Sequence, residues 1–502
     1  MITFKKQYFV FLSLFIVLFF SGCKDKWEDH NKIQDPVLAD NLLLAIQNNP
    51  DLSTFAEYLK ETGYDEVIAS SKTFTIWAPT NLALENLDQA IVNDADLLKQ
   101  FVANHISNQT YLTRSANSVL TIRTLNGKNI LFTKTNFEEA NITVADQYTG
   151  NGVLHIIDMP VVPKLNTWEY LNNSAASLQK SFLQSQNYSY RDLSLAEIIG
   201  IDPKTGDPIY KEGTGYSTKN YFLQRISDIS NEDGKYTFVI LTDDAFNAEK
   251  TKLSKYFTVN DPLATPVRNA FVTDSITNWI IVKDLVLKGD FTIDNLPDTL
   301  ISYDSLKIHL DQSAIVETHK VSNGVVYVMN RIDYKMSYKI KPVSIEGENY
   351  QSSPAGASPY YASYTAGTTG TRSIITRKNP YTNAIFREVY FYNTTISANW
   401  IHYLPTVNAA TYKVYWVAVR DFNTTTTPPV YFSQRVAFGT TALLPAFPYK
   451  QVDILNYNEV YLGDYTVTSY GKLDAFLVSN TSTTNGLNSL VLDYIKMVPV
   501  LN

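Results

Sequence analysis

The pattern of apolar and polar positions divides the chain into three stretches. From Val37 to Gly63, leucine, isoleucine, phenylalanine and tyrosine recur every three or four residues, which predicts amphipathic helices. Phe74–Pro79 follows as a run of β-branched and aromatic residues ending at a proline, and it predicts a strand and a turn. A second apolar run, Val153–Pro163, predicts a buried strand. The first stretch therefore combines helices with strands.

Both runs recur further along the chain. Tyr236–Phe246 repeats the first run and Val321–Met329 repeats the second, which indicates two modules of one fold. The second module carries an insertion at roughly residues 179–231, in which Gly200–Pro208 is rich in turn-forming residues. The acidic residues of the insertion lack the spacing that wraps a calcium ion, so we predict a solvated loop there.

The third stretch, residues 343–502, has short alternating runs between loops rich in Thr, Asn, Ser, Gly and Pro. It holds 17 of the 34 tyrosines, all between Tyr350 and Tyr494. The predicted strands are Ala410–Val419, Tyr431–Phe438, Glu459–Thr466, Ala475–Val478 and Leu490–Val500. Many short strands of this kind predict an all-β sandwich or jelly roll.

The two repeated runs carry a family resemblance. Phe74–Leu84 resembles the first sequence box of fasciclin (FAS1) domains, and Asn151–Pro163 resembles the second. The resemblance implies two tandem FAS1 domains, at residues 37–163 and 164–340, each a β-sandwich wedge with helices packed against it. Such domains are adhesion and ligand-binding modules and are not enzymes.

Histidines lie in two of the apolar runs of the first module. The apolar surroundings of His105 and His155 predict buried imidazoles bonded to the backbone. In animal relatives, a Tyr-His pair near the position of His105 is linked to integrin binding, but Asn104 stands here in place of that tyrosine. Asp284 lies about where His105 lies in the first copy, so the fold does not require the histidine.

The ends of the third stretch resemble a second family. Ile345–Tyr350 and Leu492–Ile495 are similar to the first and last strands of carbohydrate-binding modules with a galactose-binding-like jelly roll. This resemblance implies that Glu346, Glu348 and Asp493 hold a structural calcium ion; the alternative is an edge strand whose glutamates face water. The predicted fold class is therefore α+β, two FAS1 domains followed by an all-β jelly-roll sandwich.

Loop aromatics in this stretch suit a sugar, because the C–H face of a pyranose stacks on an aromatic ring. The candidate glycan-binding residues are Tyr360, Tyr361, Tyr364, Trp400, Tyr403, Asn485 and Asn488. Trp416 lies in the middle of a predicted strand and is assigned to the core. Ordinary packing is the alternative for each ring, but as a set the rings predict a binding site.

The first residues predict export. Lys5 and Lys6 precede an apolar run that is shorter than the ~20 residues needed to span a bilayer, so residues 1–22 suit a signal peptide. Cys23, the only cysteine, follows Ser-Gly as in a bacterial lipobox, which implies diacylation and a tether over residues 23–36. The acidic cluster behind it resembles the surface-export signal of Bacteroidetes lipoproteins. The alternatives are an ordinary cleaved signal, a short membrane anchor and a solvated tether.

Composition narrows the function classes. A net charge of −7 leaves no basic surface for nucleic acid. The sequence has no phosphate-binding glycine loop, zinc-protease motif or nucleophile elbow, so we predict a non-enzyme that requires no cofactor. The first hypothesis is an outer-membrane, surface-exposed lipoprotein, held on the membrane by its lipid alone, that binds polysaccharide for a SusC/SusD-type transporter. The alternative is an adhesion protein whose FAS1 domains bind a protein or matrix partner.

Overall fold

The computed structural model describes residues 40–70, 72–351, 370–393, 400–421, 431–439, 447–482, 484 and 486–501. Cys23, Tyr360, Tyr361, Tyr364 and Asn485 lie outside these ranges. The described chain combines helices with sheets and ends in an all-β region, which confirms the predicted α+β class. None of its helices is both long enough and apolar enough to cross a bilayer.

Contacts group the described residues into two compact units. The first unit contains the chain up to Tyr170, together with Ile229–Lys235 and Lys320–Gly324. The second unit contains Leu171–Asp228, Tyr236–His319 and the chain from Val325 onward. The chain therefore passes between the units more than once.

The first module begins with short helices that side chains cap. The Asn41 side chain accepts a hydrogen bond from Leu44 N, and Asp94 accepts from Asp96 N and Leu97 N, which satisfies amides at the helix starts. The helices are Leu42–Gln47, Ser53–Glu61, Tyr64–Ile68, Asn81–Leu84, Gln89–Val92 and Ala95–Asn104, with 3₁₀ turns at Pro50–Leu52 and Thr113–Ser115.

Seven strands form one sheet in this module. They are β1 (Phe74–Pro79), β2 (Ile106–Ser107), β3 (Leu120–Arg123), β4 (Asn129–Phe132), β5 (Asn136–Phe137), β6 (Ala140–Thr149) and β7 (Gly152–Ile157). The order is β2-β1-β7-β6-β5-β4-β3, and β1 runs parallel to β7. Gly152 pairs with Phe74, and a Cβ at Gly152 would lie 2.0 Å from Phe74 O, so only glycine fits.

The first module has an apolar core on each side of β1. Phe55, Phe101 and Ile76 belong to the core beneath the helices. Trp77, the next residue of the strand, belongs to a separate core with Phe137, whose ring it stacks on at 4.5 Å. The alternation of side chains along β1 therefore supplies both cores.

The second module has two longer helices, of 15 and 17 residues, and a smaller sheet. Its helices are Thr167–Asn173, Ser177–Ser185, Tyr221–Arg225, Asp243–Phe257, Pro266–Val282 and Met336–Lys339, with 3₁₀ turns at Leu193–Leu195, Ile293–Asn295 and Gln312–Ala314. Its strands are β8 (Asn187–Arg191), β9 (Ile198–Ile201), β10 (Pro208–Tyr210), β11 (Tyr216–Asn220), β12 (Tyr236–Leu241), β13 (Val286–Lys288), β14 (Leu300–Ile301), β15 (Lys307–Ile308), β16 (Ile315–Val321) and β17 (Gly324–Met329).

The sheet of the second module repeats the topology of the first. Its order, β13-β12-β17-β16, matches β2-β1-β7-β6. Thr75 Oγ1 donates to Gln109 O at 2.6 Å, and Thr237 Oγ1 donates to Gly289 O at 2.8 Å, so the two threonines are equivalent. The structure thus shows the repeat that the two apolar runs predict.

The same register corrects one predicted equivalence. His105 O accepts from Trp77 N, and Leu285 O accepts from Val239 N at the corresponding point of the second sheet. Leu285 therefore takes the place of His105, and Asp284 lies one residue earlier, at the place of Asn104. The sequence places Asp284 about at the position of His105, and the register shows that it lies one residue before that position.

The insertion is more ordered than the predicted loop. Strands β9 and β10 form one hairpin, and β8 and β11 form another. The turn-rich segment closes the first hairpin, where Asp202 N donates to Asp207 O at 2.8 Å. A turn was predicted there, but the flanking isoleucines form strands instead of loop.

The C-terminal region is all β. Its strands are β18 (Val343–Glu346), β19 (Gly370–Lys378), β20 (Ile385–Asn393), β21 (Trp400–Tyr403), β22 (Thr406–Val407), β23 (Thr411–Val417), β24 (Ser433–Phe438), β25 (Lys450–Gln451), β26 (Val460–Thr466), β27 (Gly471–Lys472), β28 (Ala475–Ser479), β29 (Leu490–Leu492) and β30 (Tyr494–Pro499), with a 3₁₀ turn at Gly347–Gln351. The sheets are β18-β30-β23-β26, β19-β20-β29, β21-β28-β24-β25 and β22-β27.

These sheets share one hydrophobic core. It includes Val414 and Ile495 from one sheet, Leu477 from another and Trp416, which is 1% exposed. The assignment of Trp416 to the core is therefore confirmed. One face of the sheet β21-β28-β24-β25 packs on this core, and its outer face carries a second, smaller apolar cluster.

Candidate functional site

Two of the predicted glycan-binding residues are buried. Tyr403 is 2% exposed, and its hydroxyl donates to Gly347 O at 3.0 Å. Asn488 is 0% exposed. A sugar can neither stack on the Tyr403 ring, which packs in the core, nor reach the buried Asn488 amide, so the structure corrects the prediction for both residues.

Trp400 lies on the opposite face of the same strand and is half-buried. Along β21, alternate side chains point to opposite faces, so Trp400 and His402 share the outer face while Ile401 and Tyr403 enter the core. This period-two alternation is visible in the sequence, and it would have separated Trp400 from Tyr403.

Cross-strand pairing sets two rows of side chains on this outer face. Trp400 pairs with Val478, which pairs with Arg435. In the second row, His402 pairs with Phe476, which pairs with Ala437. We call these six residues the outer-face rows. Since neighbouring strands lie about 4.8 Å apart, Trp400 and Arg435 are separated by about 10 Å across the sheet.

The middle of the outer-face rows is apolar. Ala437, Phe476 and Val478 form a small cluster that is separate from the main core, and Trp400 packs against it. The Trp400 ring meets Phe476 edge-on at 5.2 Å. His402 stacks on the same phenylalanine at 4.5 Å with an interplanar angle of 9°.

Polar groups border this apolar strip on both sides. His402 Nε2 lies 2.6 Å from Asp474 Oδ1, and the Asp474 side chain is 39% exposed. Across the sheet, the Arg435 guanidinium lies 4.5 Å from the Tyr449 ring centroid. The Arg435 Nε atom is buried and has no hydrogen-bond partner among the described residues.

This arrangement has the parts of a sugar-binding surface. A half-buried indole offers a flat apolar face, and a carboxylate, an imidazole and a guanidinium offer hydrogen bonds to hydroxyls. Sequence reasoning missed His402, Asp474, Arg435 and Tyr449. The pairing of strands distant in sequence brings Asp474, Arg435 and Tyr449 to the face that Trp400 and His402 share.

The predicted metal ligands lie at another edge of the C-terminal region. Strand β18 pairs with β30, with Glu346 opposite Tyr494. Gly347 N donates to Asp493 O at 2.6 Å, and a Cβ at Gly347 would lie 2.1 Å from Leu492 O. A glycine at this position therefore lets the two chain segments approach closely.

The three carboxylates interact through their charge. Burial, and then the negative charges of Glu346 and Glu348, raise the pKa of Asp493 to about 7. Glu348 Oε2 is buried and has no hydrogen-bond partner among the described residues. Arg387 lies 3.9 Å from the other Glu348 oxygen.

These carboxylates fit a calcium ion by donor type and charge. Calcium takes six to eight oxygen ligands, and a buried carboxylate oxygen without a partner is one such donor. However, no three His, Cys, Asp or Glu side chains in the described ranges are arranged to hold a metal ion. Glu346, Glu348 and Asp493 are the ligands that the resemblance implies, and in this structure their oxygens are not arranged around a common point.

The histidines of the first module are part of its packing. His105 is 0% exposed; its Nδ1 lies 2.8 Å from Phe101 O, and its Nε2 accepts from Val161 N at 3.2 Å. Burial lowers the pKa of His105 to about 4. His155 is equally buried, and burial lowers its pKa as well. Both histidines are buried and bonded to the backbone, as predicted.

Comparison with known proteins tests the first module directly. The family model of the fasciclin domain matches residues 50–163. This part of the chain is a fasciclin domain. Fasciclin domains are typical of adhesion-type proteins and are generally non-catalytic. No curated protein matches the chain.

Two solved structures show weaker similarity. A FAS1 domain pair from the insect cell adhesion molecule fasciclin I is 15% identical and covers 58% of this chain and 100% of its own, with a TM-score of 0.22. The GH26-CBM35 β-(1,4)-mannanase of Podospora anserina is 14% identical and covers 32% of this chain and 28% of its own, with a TM-score of 0.20. At TM-scores this low, neither similarity supports an argument about fold or function.

Proposed function

We propose that this protein is a non-catalytic, lipid-anchored receptor that binds polysaccharide through the outer-face rows of the C-terminal region. The observation that carries the proposal is the placement of Trp400 and His402 on one face of the sheet, with Asp474 bound to His402 and Arg435 across an apolar strip. One sugar ring covers about one strand spacing, so the rows have room for two adjacent sugars. A chain of sugars therefore fits this face better than a single small molecule.

Calorimetric titration against plant, microbial and host polysaccharides tests this proposal. Trp400→Ala and Arg435→Gln should each weaken binding by about tenfold, because each removes a contact worth roughly 1–2 kcal/mol. Tyr381→Ala is the matched control, since Tyr381 is 81% exposed and lies outside the rows. Binding that survives both row variants would place the glycan elsewhere, and silence across the panel would reject the receptor.

We propose further that a structural calcium ion stabilises this receptor through Glu346, Glu348 and Asp493. In thermal unfolding, calcium should raise the melting temperature, and EDTA should reverse the effect. Glu348→Gln should lose the response, because it removes one charge from the three. Asp453→Asn, an exposed acid outside the cluster, should keep the response. A melting temperature that ignores both calcium and EDTA would reject the ion.

The anchor and location form a separate part of the proposal. Diacylation of Cys23 would hold the protein on the outer membrane, at the cell surface, where a SusC/SusD-type transporter takes up the bound sugar. Cys23→Ala should move the protein from the membrane fraction to the soluble fraction. Protease treatment of intact cells distinguishes the surface from the periplasm, because only a surface protein is cleaved.

A second candidate function rests on the fasciclin domain. Its match at residues 50–163 favours adhesion to a protein or matrix partner. Deleting residues 343–502 should abolish glycan binding if the receptor proposal holds, and it should leave cell adhesion intact if the fasciclin domain binds the partner. The two functions therefore separate in one pair of assays.

A further inference from the structure

A cavity of about 320 Å³ lies within the second unit, away from the outer-face rows. One wall comes from the second module, through the end of the helix Pro266–Val282, the turn at Ser305 and the residues after the helix Met336–Lys339. The other wall comes from the C-terminal region, through Asn408 and Tyr470. Its volume lies at the lower end of the range of about 300–1,000 Å³ for small-molecule sites.

The two walls are held in place by direct contacts. Tyr256 O accepts hydrogen bonds from Ala409 N at 2.9 Å and from Asn408 Nδ2 at 3.3 Å. Tyr470 N donates to Thr258 O at 2.7 Å, and its ring lies 5.2 Å from that of Phe257. A cavity bounded by such contacts keeps its shape without a ligand, which reduces the cost of binding one.

The charges that line the cavity leave one cation unbalanced. Asp284 is 1% exposed and accepts from Lys339 at 2.6 Å and from Lys283 at 3.3 Å. Lys283 also pairs with Asp304. These two lysines and two aspartates compensate each other. Lys341, an exposed lysine at the cavity, has no ion-pair partner in the described part of the chain.

The neutral polar groups at the cavity are also available. No described residue hydrogen-bonds to the hydroxyls of Tyr338 and Tyr470, and both residues line the cavity. Ser305 beside them has a φ of 69°, which is uncommon for a residue other than glycine. Bonds from Ser305 N to Ser302 O and from Leu306 N to Ser302 Oγ maintain this turn.

We propose that this cavity binds a single hexuronate, an acidic sugar with one carboxylate. Lys341 pairs with the carboxylate, and the hydroxyls of Tyr338, Tyr470 and Ser305 bond the sugar hydroxyls. One unbalanced lysine matches a monoanion, whereas a phosphate dianion would leave a second negative charge uncompensated. This inference does not rest on the glycan site of the outer-face rows, which is a separate surface.

Calorimetric titration of the mature chain with glucuronate and galacturonate tests the inference. At least one of them should bind about tenfold more tightly than glucose and galactose, because a charge-assisted contact is present only with the acid. Lys341→Met should remove this preference, and Lys341→Arg should keep it. Lys335→Met, which changes an exposed lysine outside the cavity lining, should have no effect.

The remaining outcomes are decisive as well. Equal affinity for acidic and neutral sugars, or no binding of either uronate, would overturn the proposal. A preference that persists in Lys341→Met and in Tyr338→Phe would place the site outside this cavity and would also overturn it. Trp400→Ala should leave uronate binding unchanged, so failure here and failure of the polysaccharide site are distinguishable.

Discussion

Asn104 and Asp284 show how one position of the repeated fold is filled in two chemical ways. Asn104 is 0% exposed; it donates to Val161 O at 2.9 Å and accepts from Asn126 Nδ2 at 2.8 Å. Asp284, the equivalent residue, accepts instead from buried Lys339, whose pKa burial lowers. In both modules a buried polar group is satisfied, which is the physical requirement, while the charge itself is optional.

The protonation of His105 predicts how stability depends on pH. The folded protein holds this imidazole neutral with a pKa of about 4, whereas the unfolded chain takes up the proton near 6.5. The stabilisation of the folded state by neutral His105 is therefore fully present above pH 6.5. It is lost as the pH falls toward 4, which lowers the free energy of unfolding by up to about 3 kcal/mol. Urea unfolding at a series of pH values should show this loss.

The variant His105→Gln isolates that effect. It removes the titrating group, so its unfolding free energy should change less between pH 6.5 and 4 than that of the wild type, although its stability is lower throughout. His155 remains and keeps part of the slope. Identical slopes in the two proteins would show that His105 does not titrate as its burial requires.

At the same scale, the sequence predicted residue environments better than residue partners. The burial of His105 and Trp416 follows from apolar neighbours in the chain, which is local information. The position of Arg435 on the same face as Trp400 does not, because it depends on the pairing of β21 with β28 and of β28 with β24. Strand pairing depends on contacts between distant segments, and no local pattern states it.

Among the elements, the asparagine directly before β7 and the asparagine directly before β17 make equivalent hydrogen bonds in the two modules. Asn151 accepts from Leu42 N and donates to Ile68 O. Asn323 accepts from Thr167 N and donates to Ile229 O. One side chain thus ties the first helix of the module to the segment before β1 in the first module and before β12 in the second.

Removing that link should destabilise the protein. Asn323 is 0% exposed, and Asn323→Ala leaves several buried backbone groups without partners. We expect a loss of about 3 kcal/mol in the urea unfolding free energy, since each such group costs about 1–3 kcal/mol. Asn247→Ala, at an exposed position of a helix, should stay within about 0.5 kcal/mol of the wild type. A comparable loss in both variants would contradict the assignment.

The β9–β10 hairpin is an element whose surface the sequence did not reveal. Ile198, Ile199 and Ile201 are 60%, 60% and 68% exposed. The spacing of the isoleucines favours a strand. It does not predict that their side chains are exposed in the described part of the chain. The solvated loop is predicted at the turn-rich segment Gly200–Pro208, because the acidic residues there lack calcium-binding spacing, and this argument does not consider the isoleucines.

This exposure predicts a surface effect without a stability effect. The double variant Ile199→Ser/Ile201→Ser should reduce the fluorescence of the apolar dye ANS, because it removes exposed apolar area. The melting temperature should stay nearly constant, since these side chains bury little on folding. Val436→Ser, at a core position that is 0% exposed, is the contrasting control and should lower the melting temperature strongly. An equal fall in the two variants would mean that the hairpin is packed.

At the scale of the whole molecule, the module boundaries in the sequence and the compact units differ. Sequence repeats place the second module at residues 164–340, but Ile229–Lys235 and Lys320–Gly324 belong to the first unit. Contacts between distant segments determine which residues pack together. A repeat in the sequence shows where similar strands recur, but it does not show which segments pack against each other. Lys128 of the first module contacts one of these segments through Glu232.

The Lys128–Glu232 ion pair should stabilise the packing of the segment Ile229–Lys235 in the first unit. The Lys128 and Glu232 side chains are 13% and 9% exposed, their charged atoms lie 2.9 Å apart, and Lys128 also contacts Glu169. Lys128→Met should cost about 3–5 kcal/mol in urea unfolding, because it leaves buried Glu232 uncompensated. Adding Glu232→Gln should recover part of that loss, whereas Lys134→Met, an exposed lysine, should have no effect. If the double variant is no more stable than Lys128→Met, the cost lies in lost packing and not in the unpaired charge.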